Sequence, residues 1–238
     1  MWLIFPIGGN GARFRAAGYT IPKPLITVRG KTLLEYAWSS YPDAWKTFAI
    51  LSPENSSGSL VSLITGKRTG KFCMLGQSTK GPLETMAQGL FHKQTIAPDE
   101  EVLIADCDSF FEQPGEVTAA MDWFHSRHAD GGVTIQVAES PAYSYAVTGG
   151  GAIVRETAEK RLISKNWTTG PYWFRRWDTF KQAAEYEMNH QRYTVSPCYN
   201  WLIDQGKVVV AYPTTSFVHL GSPEELDAFN LRPRIQPS

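Results

Sequence analysis

Short apolar runs alternate along the chain with segments in which apolar residues recur at helical spacing. The run over residues 3–7 shows no polar alternation, which is typical of a strand covered on both faces in a parallel sheet. Comparable runs predict further strands over residues 25–28, 48–51, 71–75, 102–105, 132–137, 151–155, 172–174 and 207–212. Helices are predicted over residues 32–40, 82–91 and 177–188, within 193–206, and from Pro223 onward. This alternation predicts an α/β fold with a mostly parallel central sheet, helices on both faces and ligands at the carboxyl ends of the strands.

Composition and charge narrow the classes of protein to consider. The chain has 238 residues, of which 42% are hydrophobic, so it can bury a sizeable core and is expected to form a single domain over residues 1–238. A formal net charge of zero argues against nucleic acid or an anionic membrane as a partner. Three widely spaced cysteines predict free thiols in a reducing compartment. We find no secretory leader and no apolar run near the roughly 18 residues that span a bilayer, so we expect a cytoplasmic protein.

A glycine-rich turn follows the first predicted strand. Gly8, Gly9 and Gly11 can turn successive N–H groups toward an anion, because glycine tolerates positive φ and leaves room beside the backbone. Arg13 lies within the turn, and Lys23 stands between two prolines that restrict its backbone. This combination predicts a cradle for polyphosphate. A strand-to-helix turn with two exposed cations is the alternative.

The common phosphate-loop motifs are absent from this turn. The Walker pattern is missing, and the dinucleotide fingerprint fails because Phe14 stands at its last position. The pattern G-G-x-G-x-R-F followed by P-K-P-L resembles instead the start of the nucleoside-diphosphate-sugar pyrophosphorylases, also called sugar-1-phosphate nucleotidylyltransferases. The resemblance implies a Rossmann-like (GT-A-like) domain in which the glycine turn and Arg13 hold a nucleoside triphosphate and Lys23 meets its phosphates. Ala12 beside the arginine is a variant similar to small bacterial members that make capsule and surface sugars.

The segment Q-S-T-K-G precedes the helix predicted over residues 82–91. A helix that begins at a glycine offers free backbone N–H groups. In the resembling family a glutamine and a glycine of this segment approach the nucleobase and ribose, and the matching positions are Gln77 and Gly81. A polar connection that leads into a helix is an equally good local interpretation.

Two aspartates follow the buried strand predicted over residues 102–105. Asp106 and Asp108 project to the same side if the strand persists, and carboxylates at a strand end are the ligands that Mg²⁺ requires when phosphates and water complete its shell. A solvated turn is the alternative for an isolated Asp-x-Asp pair. In the resembling family a single aspartate binds the metal here, and Asp108 matches it better, with Asp106 assisting or orienting the turn.

The second half of the chain offers candidates for an acceptor site. The resemblance implies that an E-K pair and a T-G-x-Y segment line a sugar-phosphate pocket, together with an asparagine that contacts the ligand or caps a turn. The matching residues are Glu159, Lys160, Thr169, Gly170, Tyr172 and Asn200. From the residues alone, a surface ion pair beside a core strand explains the same pattern.

The last predicted helix begins with a capping signal. Ser222 is a credible N-cap, Pro223 suits the first helical position, and Glu225 would complete a capping box. Larger members of the resembling family keep a second metal-binding aspartate where His219 stands. Since imidazole is a poorer ligand for Mg²⁺ than a carboxylate, we interpret His219 as a structural histidine.

Together these features predict an enzyme that couples a nucleoside triphosphate to a sugar 1-phosphate or similar phosphomonoester with Mg²⁺, releases pyrophosphate and supplies activated surface-sugar precursors. The nucleobase, the acceptor and the oligomeric state are left open, with a homo-oligomer as one option. The alternative is a metal-dependent GT-A glycosyltransferase that uses Asp106 and Asp108 on a finished nucleotide sugar, against which the P-K-P-L box argues. A nucleotide-binding module without turnover is the third possibility.

Overall fold

The computed structural model describes residues 1–67, 70–138, 140 and 143–233. The strands are β1 (Trp2–Ile7), β2 (Thr27–Val28), β3 (Lys31–Thr32), β4 (Lys46–Leu51), β5 (Lys71–Met74), β6 (Val102–Ile104), β7 (Ser109–Phe111), β8 (Gly131–Val137), β9 (Ser144–Thr148), β10 (Val154–Glu159), β11 (Asn166–Phe174), β12 (Val209–Pro213) and β13 (Phe217–His219). The helices are α1 (Ala12–Ala16), α2 (Leu33–Ser39), α3 (Gly58–Lys67), α4 (Pro82–Met86), α5 (Glu116–Ser126), α6 (Trp177–Asn189), α7 (Cys198–Asp204) and α8 (Pro223–Leu231).

The main sheet has the strand order β10-β9-β11-β6-β1-β4-β5. Strand β1 pairs in parallel with β4 and β6, and β4 pairs in parallel with β5. Strand β11 is antiparallel to β6, β8 and β9, and β8 continues in parallel to β12. The predicted α/β architecture, a mostly parallel central sheet flanked by helices, is confirmed. The antiparallel pairings of β11 were not part of the prediction.

Both faces of the central strand β1 are buried. Leu3 and Phe5 point into a layer that contains residues of α2, α3 and α5. Trp2 and Ile4 point to the opposite layer, which contains residues of α4, α6 and α7. Alternate side chains of a strand face opposite sides of its sheet, so a strand between two helical layers needs apolar residues at consecutive positions. This arrangement explains the unbroken apolar run in the sequence.

Several elements differ from the predicted pattern. Helix α2 begins at Leu33, because Thr32 is its N-cap and forms a capping box with Glu35. The strand expected over residues 25–28 is reduced to β2, since Lys23–Leu25 forms a 3₁₀ turn. The helix expected over residues 82–91 is α4 followed by a π-helical segment over Ala87–Phe91. Helices α1, α3 and α5 were not predicted.

A third apolar cluster lies beside the glycine turn and joins elements that are distant in the sequence. It combines Phe14 of α1 with residues around β2, with Phe110 of β7, and with β13 and α8. Its buried members are Phe14, Ile26, Val28, Leu33, Phe110, Val218, Leu220, Leu226 and Phe229.

Cys73, Cys107 and Cys198 are free thiols. No helix among the described residues is long and apolar enough to cross a bilayer.

Candidate functional site

A cavity of about 620 Å³ opens at the carboxyl ends of β1 and β6, where ligands of parallel α/β sheets bind. Most of the predicted site residues line it, namely Gly9, Gly11, Arg13, Lys23, Gly81, Asp106, Asp108, Glu159, Lys160 and Thr169. Gly8, Gln77, Gly170 and Asn200 are not part of its lining. The topology therefore brings residues from the whole length of the chain to one edge of the sheet.

The glycine turn is tightly packed where it leaves β1. A Cβ atom at Gly8 would lie 2.1 Å from Oγ1 of Thr85 and 2.6 Å from Oγ1 of Thr79, so a larger residue cannot fit there. Gly11 adopts a φ of 66°, in the left-handed region that favours glycine, and is the N-cap residue of α1. Gly8 thus allows the turn to pack closely against Thr79 and Thr85, and Gly9 and Gly11 line the cavity.

A buried asparagine that the sequence analysis missed holds this turn in place. Nδ2 of Asn55 lies 2.7 Å from the carbonyl oxygen of Gly9, 3.2 Å from that of Ile7 and 3.0 Å from Oγ of Ser52. Asn55 ends a 3₁₀ turn over Pro53–Asn55, outside every strand and helix predicted from the sequence, and it is 4% exposed. Loop composition alone gives no sign of this burial, because it depends on the parallel pairing of β1 with β4.

Two cations face the cavity without a carboxylate partner within the described part of the chain. Arg13 is exposed on α1, whose position is fixed by the burial of Phe14 and by its edge-to-face contact with Tyr19 at 5.2 Å. Lys160 is exposed directly after β10, with a φ of 52° that is uncommon for a residue other than glycine. Neither side chain forms a salt bridge among the described residues, so both can meet an anionic ligand.

A third cation is paired with an acid at the centre of the site. Nζ of Lys23 donates a hydrogen bond to Oδ2 of Asp108, and both side chains are largely buried. Burial alone would raise the pKa of Asp108, but Lys23 and His219 outweigh it and lower this pKa to about 2. Burial would likewise lower the pKa of Lys23, yet the attraction of Asp108 keeps it raised.

Asp106 faces the cavity and is exposed to it. Reduced hydration at this depth and the facing carboxylate of Asp108 raise the pKa of Asp106 to about 6. Strand β6 ends at Ile104, so the two aspartates lie beyond the strand and are not aligned by strand alternation as we had expected. The turn after β6 brings them to the same cavity instead.

The carboxylates of Asp106 and Asp108 suit a metal ion that binds together with phosphate groups. Among the described residues there is no group of three or more His, Cys, Asp or Glu side chains placed to hold a metal ion. Mg²⁺ in nucleotide sites is bound through one or two carboxylates, while phosphate oxygens and water complete its octahedron. Asp106 and Asp108 offer such a partial set, at the edge of the sheet where the glycine turn also ends.

His219 links Asp108 to the first turn of α8. Nε2 of His219 lies 3.8 Å from Oδ2 of Asp108, and Nδ1 lies 3.0 Å from Oε1 of Glu225. The hydroxyl of Tyr143 also donates to Oε1 of Glu225, at 3.0 Å, and its ring stacks on Trp167 with centroids 4.0 Å apart. His219 is therefore not only a structural residue, since it lines the cavity and connects two acids.

This arrangement alters the predicted cap of α8. Oγ of Ser222 accepts a hydrogen bond from the N–H of Glu225, as expected of an N-cap. The Glu225 carboxylate does not complete a capping box, because it is bonded to His219 and Tyr143. The motif that predicts a helix start thus also supplies an acid to the cavity.

The candidates for the acceptor side divide into two groups. Glu159 accepts a hydrogen bond from Oγ of Ser144 and lines the cavity together with Lys160. Thr169 also lines it, but its hydroxyl lies 2.6 Å from Oγ1 of Thr134 and is already paired. Asn200 lies outside the lining and bonds the backbone of Thr157 through both its oxygen and its nitrogen, which ties α7 to β10.

Gly81 and Gln77 both precede α4 but differ in their position relative to the cavity. Gly81 lines the cavity as the N-cap residue of α4, and its carbonyl oxygen accepts from the N–H and the hydroxyl of Thr85 at 3.0 Å each. Gln77 is exposed outside the lining. Thr85, which the sequence analysis did not select, lines the cavity and packs against Gly8.

Comparisons with known proteins bear on the family and the fold of this chain. A family model described as nucleotidyl transferase matches residues 4–228. The nucleoside-diphosphate-sugar pyrophosphorylase from Vibrio cholerae RC9 is similar in structure, with a TM-score of 0.81 and 24% identity over 97% of this chain and 100% of that chain. A UDP-glucose pyrophosphorylase complexed with UDP-glucose has a TM-score of 0.76 and 16% identity over 96% and 97% of the two chains.

A third solved structure is the inositol-1-phosphate CTP transferase from T. maritima, with a TM-score of 0.72 and 14% identity over 94% of this chain and 90% of that chain. A comparison with curated proteins returned no match. At these identities the structural likenesses support the fold.

Proposed function

Because the chain belongs to the nucleotidyl transferase family, we propose that it couples a nucleoside triphosphate to a sugar 1-phosphate or similar phosphomonoester and releases pyrophosphate. The observation that carries this proposal is the composition of the cavity wall. A glycine turn, the Lys23–Asp108 pair and two cations that form no salt bridge within the described ranges surround one space of about 620 Å³. That space is large enough for two small substrates side by side.

In the proposed reaction a phosphate oxygen of the acceptor attacks the α-phosphorus of the triphosphate. One oxygen–phosphorus bond forms, the bond from the α-phosphorus to the bridging β-oxygen breaks, and pyrophosphate leaves. The nucleophile is already anionic, so no side chain has to remove a proton from it. Alignment and charge neutralisation are then the main tasks of the protein.

The residues of the cavity divide these tasks by position. The N–H groups of the turn at Gly9 and Gly11 would hold phosphate oxygens, with Gly8 fixing the turn, and Arg13 would stabilise the departing pyrophosphate. Lys23 would contact the α-phosphate region from its place beside Asp108. Lys160, which also lines the cavity, would hold the incoming phosphate, and Glu159, its neighbour in the chain, would contact the remainder of the acceptor.

Asp106 and Asp108 would hold Mg²⁺ when it binds with the triphosphate. The ion would neutralise phosphate charge and orient the phosphate oxygens for an in-line displacement. We assign nucleobase contacts to the segment from Gln77 to Gly81, of which Gly81 faces the cavity. Thr169 and Gly170 would shape the acceptor side together with their partner Thr134, and Asn200 would support it indirectly through β10.

The class of acceptor is the finer part of the proposal. Structural neighbours include enzymes whose names specify a nucleoside-diphosphate sugar and inositol 1-phosphate. A sugar 1-phosphate, or the phosphomonoester of a cyclic polyol such as inositol, is therefore our first choice of acceptor. A role in supplying surface-sugar precursors is supported only by the resemblance of the opening loop to small bacterial members of the family.

The test is pyrophosphate release in the presence of Mg²⁺. Each of the four ribonucleoside triphosphates and dTTP is combined with a panel of sugar 1-phosphates, inositol 1-phosphate and other phosphomonoesters. Release that requires one particular pair supports the proposal and names both substrates. If no pair releases pyrophosphate and a nucleotide sugar is consumed instead, the glycosyltransferase alternative is correct.

A further inference from the structure

We propose that Arg29 is a positioning residue for the reaction centre and acts through α8, an inference that rests on the proposed function. Arg29 lies in the turn between β2 and β3, outside the cavity lining. Its Nη2 donates to the carbonyl oxygens of Phe229 and Arg232 and lies 3.3 Å from that of Asn230. These carbonyls belong to the last turn and the C-cap of α8, about 200 positions away in the sequence.

The contact adds side-chain donors at the end of the helix, where the carbonyl oxygen of Phe229 also accepts from the N–H of Arg232 at 3.2 Å. The last carbonyl groups of an α-helix have no intrahelical donor and carry partial negative charge, so a cation placed there is favourable. The guanidinium group can serve several acceptors from one position because its N–H groups form a planar fork. The guanidinium carbon also lies 4.3 Å from the centre of the Phe229 ring, which holds the group over the helix end.

The other end of α8 reaches the cavity. Glu225, in its first turn, is bonded to His219 and Tyr143, and His219 extends to Asp108. Because α8 is a short rigid element, a shift at its C-terminus moves Glu225 as well. Arg29 therefore controls where the Glu225–His219 pair lies relative to Asp108.

The hairpin that carries Arg29 is also tied to Lys23. The N–H of Ile26 donates to the carbonyl oxygen of Lys23 at 3.1 Å, and the carbonyl oxygen of Ile26 accepts from Leu33 at 2.9 Å. Ile26 and Val28 are buried in the third cluster against residues of α8. Lys23 and Glu225 thus belong to two elements that meet at Arg29, and their side chains are linked through Asp108 and His219.

Two substitutions and a matched control test this role. Arg29→Gln removes the charge and most donors, and Arg29→Lys keeps the charge without the fork. Lys31→Gln is the control, because Lys31 lies in the same hairpin, is exposed, and its ammonium group lies 5.6 Å from the centre of the Tyr36 ring, with no salt bridge among the described residues. We expect Arg29→Gln to lower kcat about tenfold with KM for the triphosphate changed less than twofold, because misalignment affects the reacting geometry. Arg29→Lys should recover part of the loss, and Lys31→Gln should stay within about twofold of wild type.

A double-mutant cycle separates positioning from general stabilisation. If Arg29 acts through Glu225, then adding Arg29→Gln to the Glu225→Gln variant should lower kcat by less than about twofold. An equal loss in both backgrounds overturns the proposal, as does a lower melting temperature for Arg29→Gln with unchanged kcat.

A measurement without substrate keeps this inference distinct from the proposed function. The imidazole NMR signal of His219, assigned with the His219→Asn variant, should shift in Arg29→Gln and Arg29→Lys but not in Lys31→Gln. Wild-type protein that releases no pyrophosphate contradicts the proposed function only. An unchanged His219 signal in the folded Arg29 variants contradicts the positioning role, whether or not the enzyme is active.

Discussion

The ammonium group of Lys23 donates a hydrogen bond to Oδ2 of Asp108, which lies 85 positions further along the chain. The contact joins the P-K-P-L segment to the turn after β6 and closes one side of the cavity. Each charge compensates the other in a largely buried position. Neither partner can therefore be removed without leaving a buried charge unpaired.

This pair predicts a stability effect that the double variant should reverse. Lys23→Met leaves the Asp108 carboxylate buried without its hydrogen-bonded cation, and His219 at 3.8 Å compensates it only in part, so the free energy of unfolding should fall by about 3 kcal/mol. In Lys23→Met combined with Asp108→Asn the charge is gone, and most of that loss should be recovered while turnover stays low. Urea denaturation measures both values. A single variant as stable as wild type would contradict the pairing.

Replacing Arg13 should lower kcat, whereas replacing Arg15 on the same helix should not. Arg13→Ala should lower kcat by roughly 10² or more, the range observed when a preorganised charge-stabilising donor is lost. Arg15→Ala is the matched control, because Arg15 lies on the same short helix, is exposed and does not line the cavity. Steady-state pyrophosphate release with the preferred substrate pair measures the effect. Equal losses in the two variants would remove Arg13 from its assigned role.

The metal assignment predicts a change in the Mg²⁺ response. Chelation of divalent ions should abolish pyrophosphate release, and added Mg²⁺ should restore it. Asp108→Asn should raise the Mg²⁺ concentration for half-maximal activity at least about tenfold, because a neutral amide is a weaker ligand for a hard cation. Asp106→Asn should act in the same direction. Asp122→Asn, an exposed aspartate on α5, is the control and should titrate like wild type.

The local pattern predicted the strands of the parallel half, because a strand buried on both faces needs an unbroken apolar run, as in β1. It also pointed to Lys23, which stands between two prolines, and to Asp106 and Asp108 after a predicted strand, whereas the preference for Asp108 came from the family resemblance. The contact of Lys23 with Asp108 could not be predicted, because it depends on how β1 and β6 pair and on the turn after β6. The same limit hid Asn55, Thr85 and the contact of Glu225 with His219, whose roles arise where distant segments meet.

Asn55 should be more important for the glycine turn than Asn10, an exposed asparagine within it. Asn55→Ala removes the buried donor of the Gly9 carbonyl and one of the two donors of the Ile7 carbonyl, which keeps the N–H of Ser52, and should lower the free energy of unfolding by about 2 kcal/mol. It should also raise KM for the triphosphate, since Gly9 lines the cavity. Asn10→Ala removes one exposed hydrogen bond to the N–H of Ala12 and should cost less than about 1 kcal/mol. Similar losses of stability in both variants would argue against a special role of Asn55 in holding the glycine turn.

Glu100, which lies outside the cavity lining, should make the free energy of unfolding depend on pH. Burial alone would raise its pKa, but hydrogen bonds from Lys46, the N–H of Ala97 and the indole of Trp2 outweigh this and lower it to about 2. The unfolded chain, with its glutamate near the ordinary value, then binds the proton more readily than the folded protein. The stabilisation is therefore complete above the ordinary pKa and is lost as the pH falls toward 2.

Because the Glu100 side chain is about one quarter exposed, we discount the shift and expect Glu100→Gln to lower the free energy of unfolding by only about 1–2 kcal/mol near neutral pH. Near pH 2 the carboxyl is about half protonated in the folded protein and almost fully protonated in the unfolded chain, so the difference from the glutamine variant should become small. Glu156→Gln is the control, because Glu156 forms an exposed pair with Arg161 and should contribute less than about 0.5 kcal/mol. Chemical denaturation at several pH values measures all three proteins. A difference for Glu100→Gln that grows as the pH falls would contradict the direction of the shift, because a depressed folded-state pKa requires the stabilisation to disappear in acid.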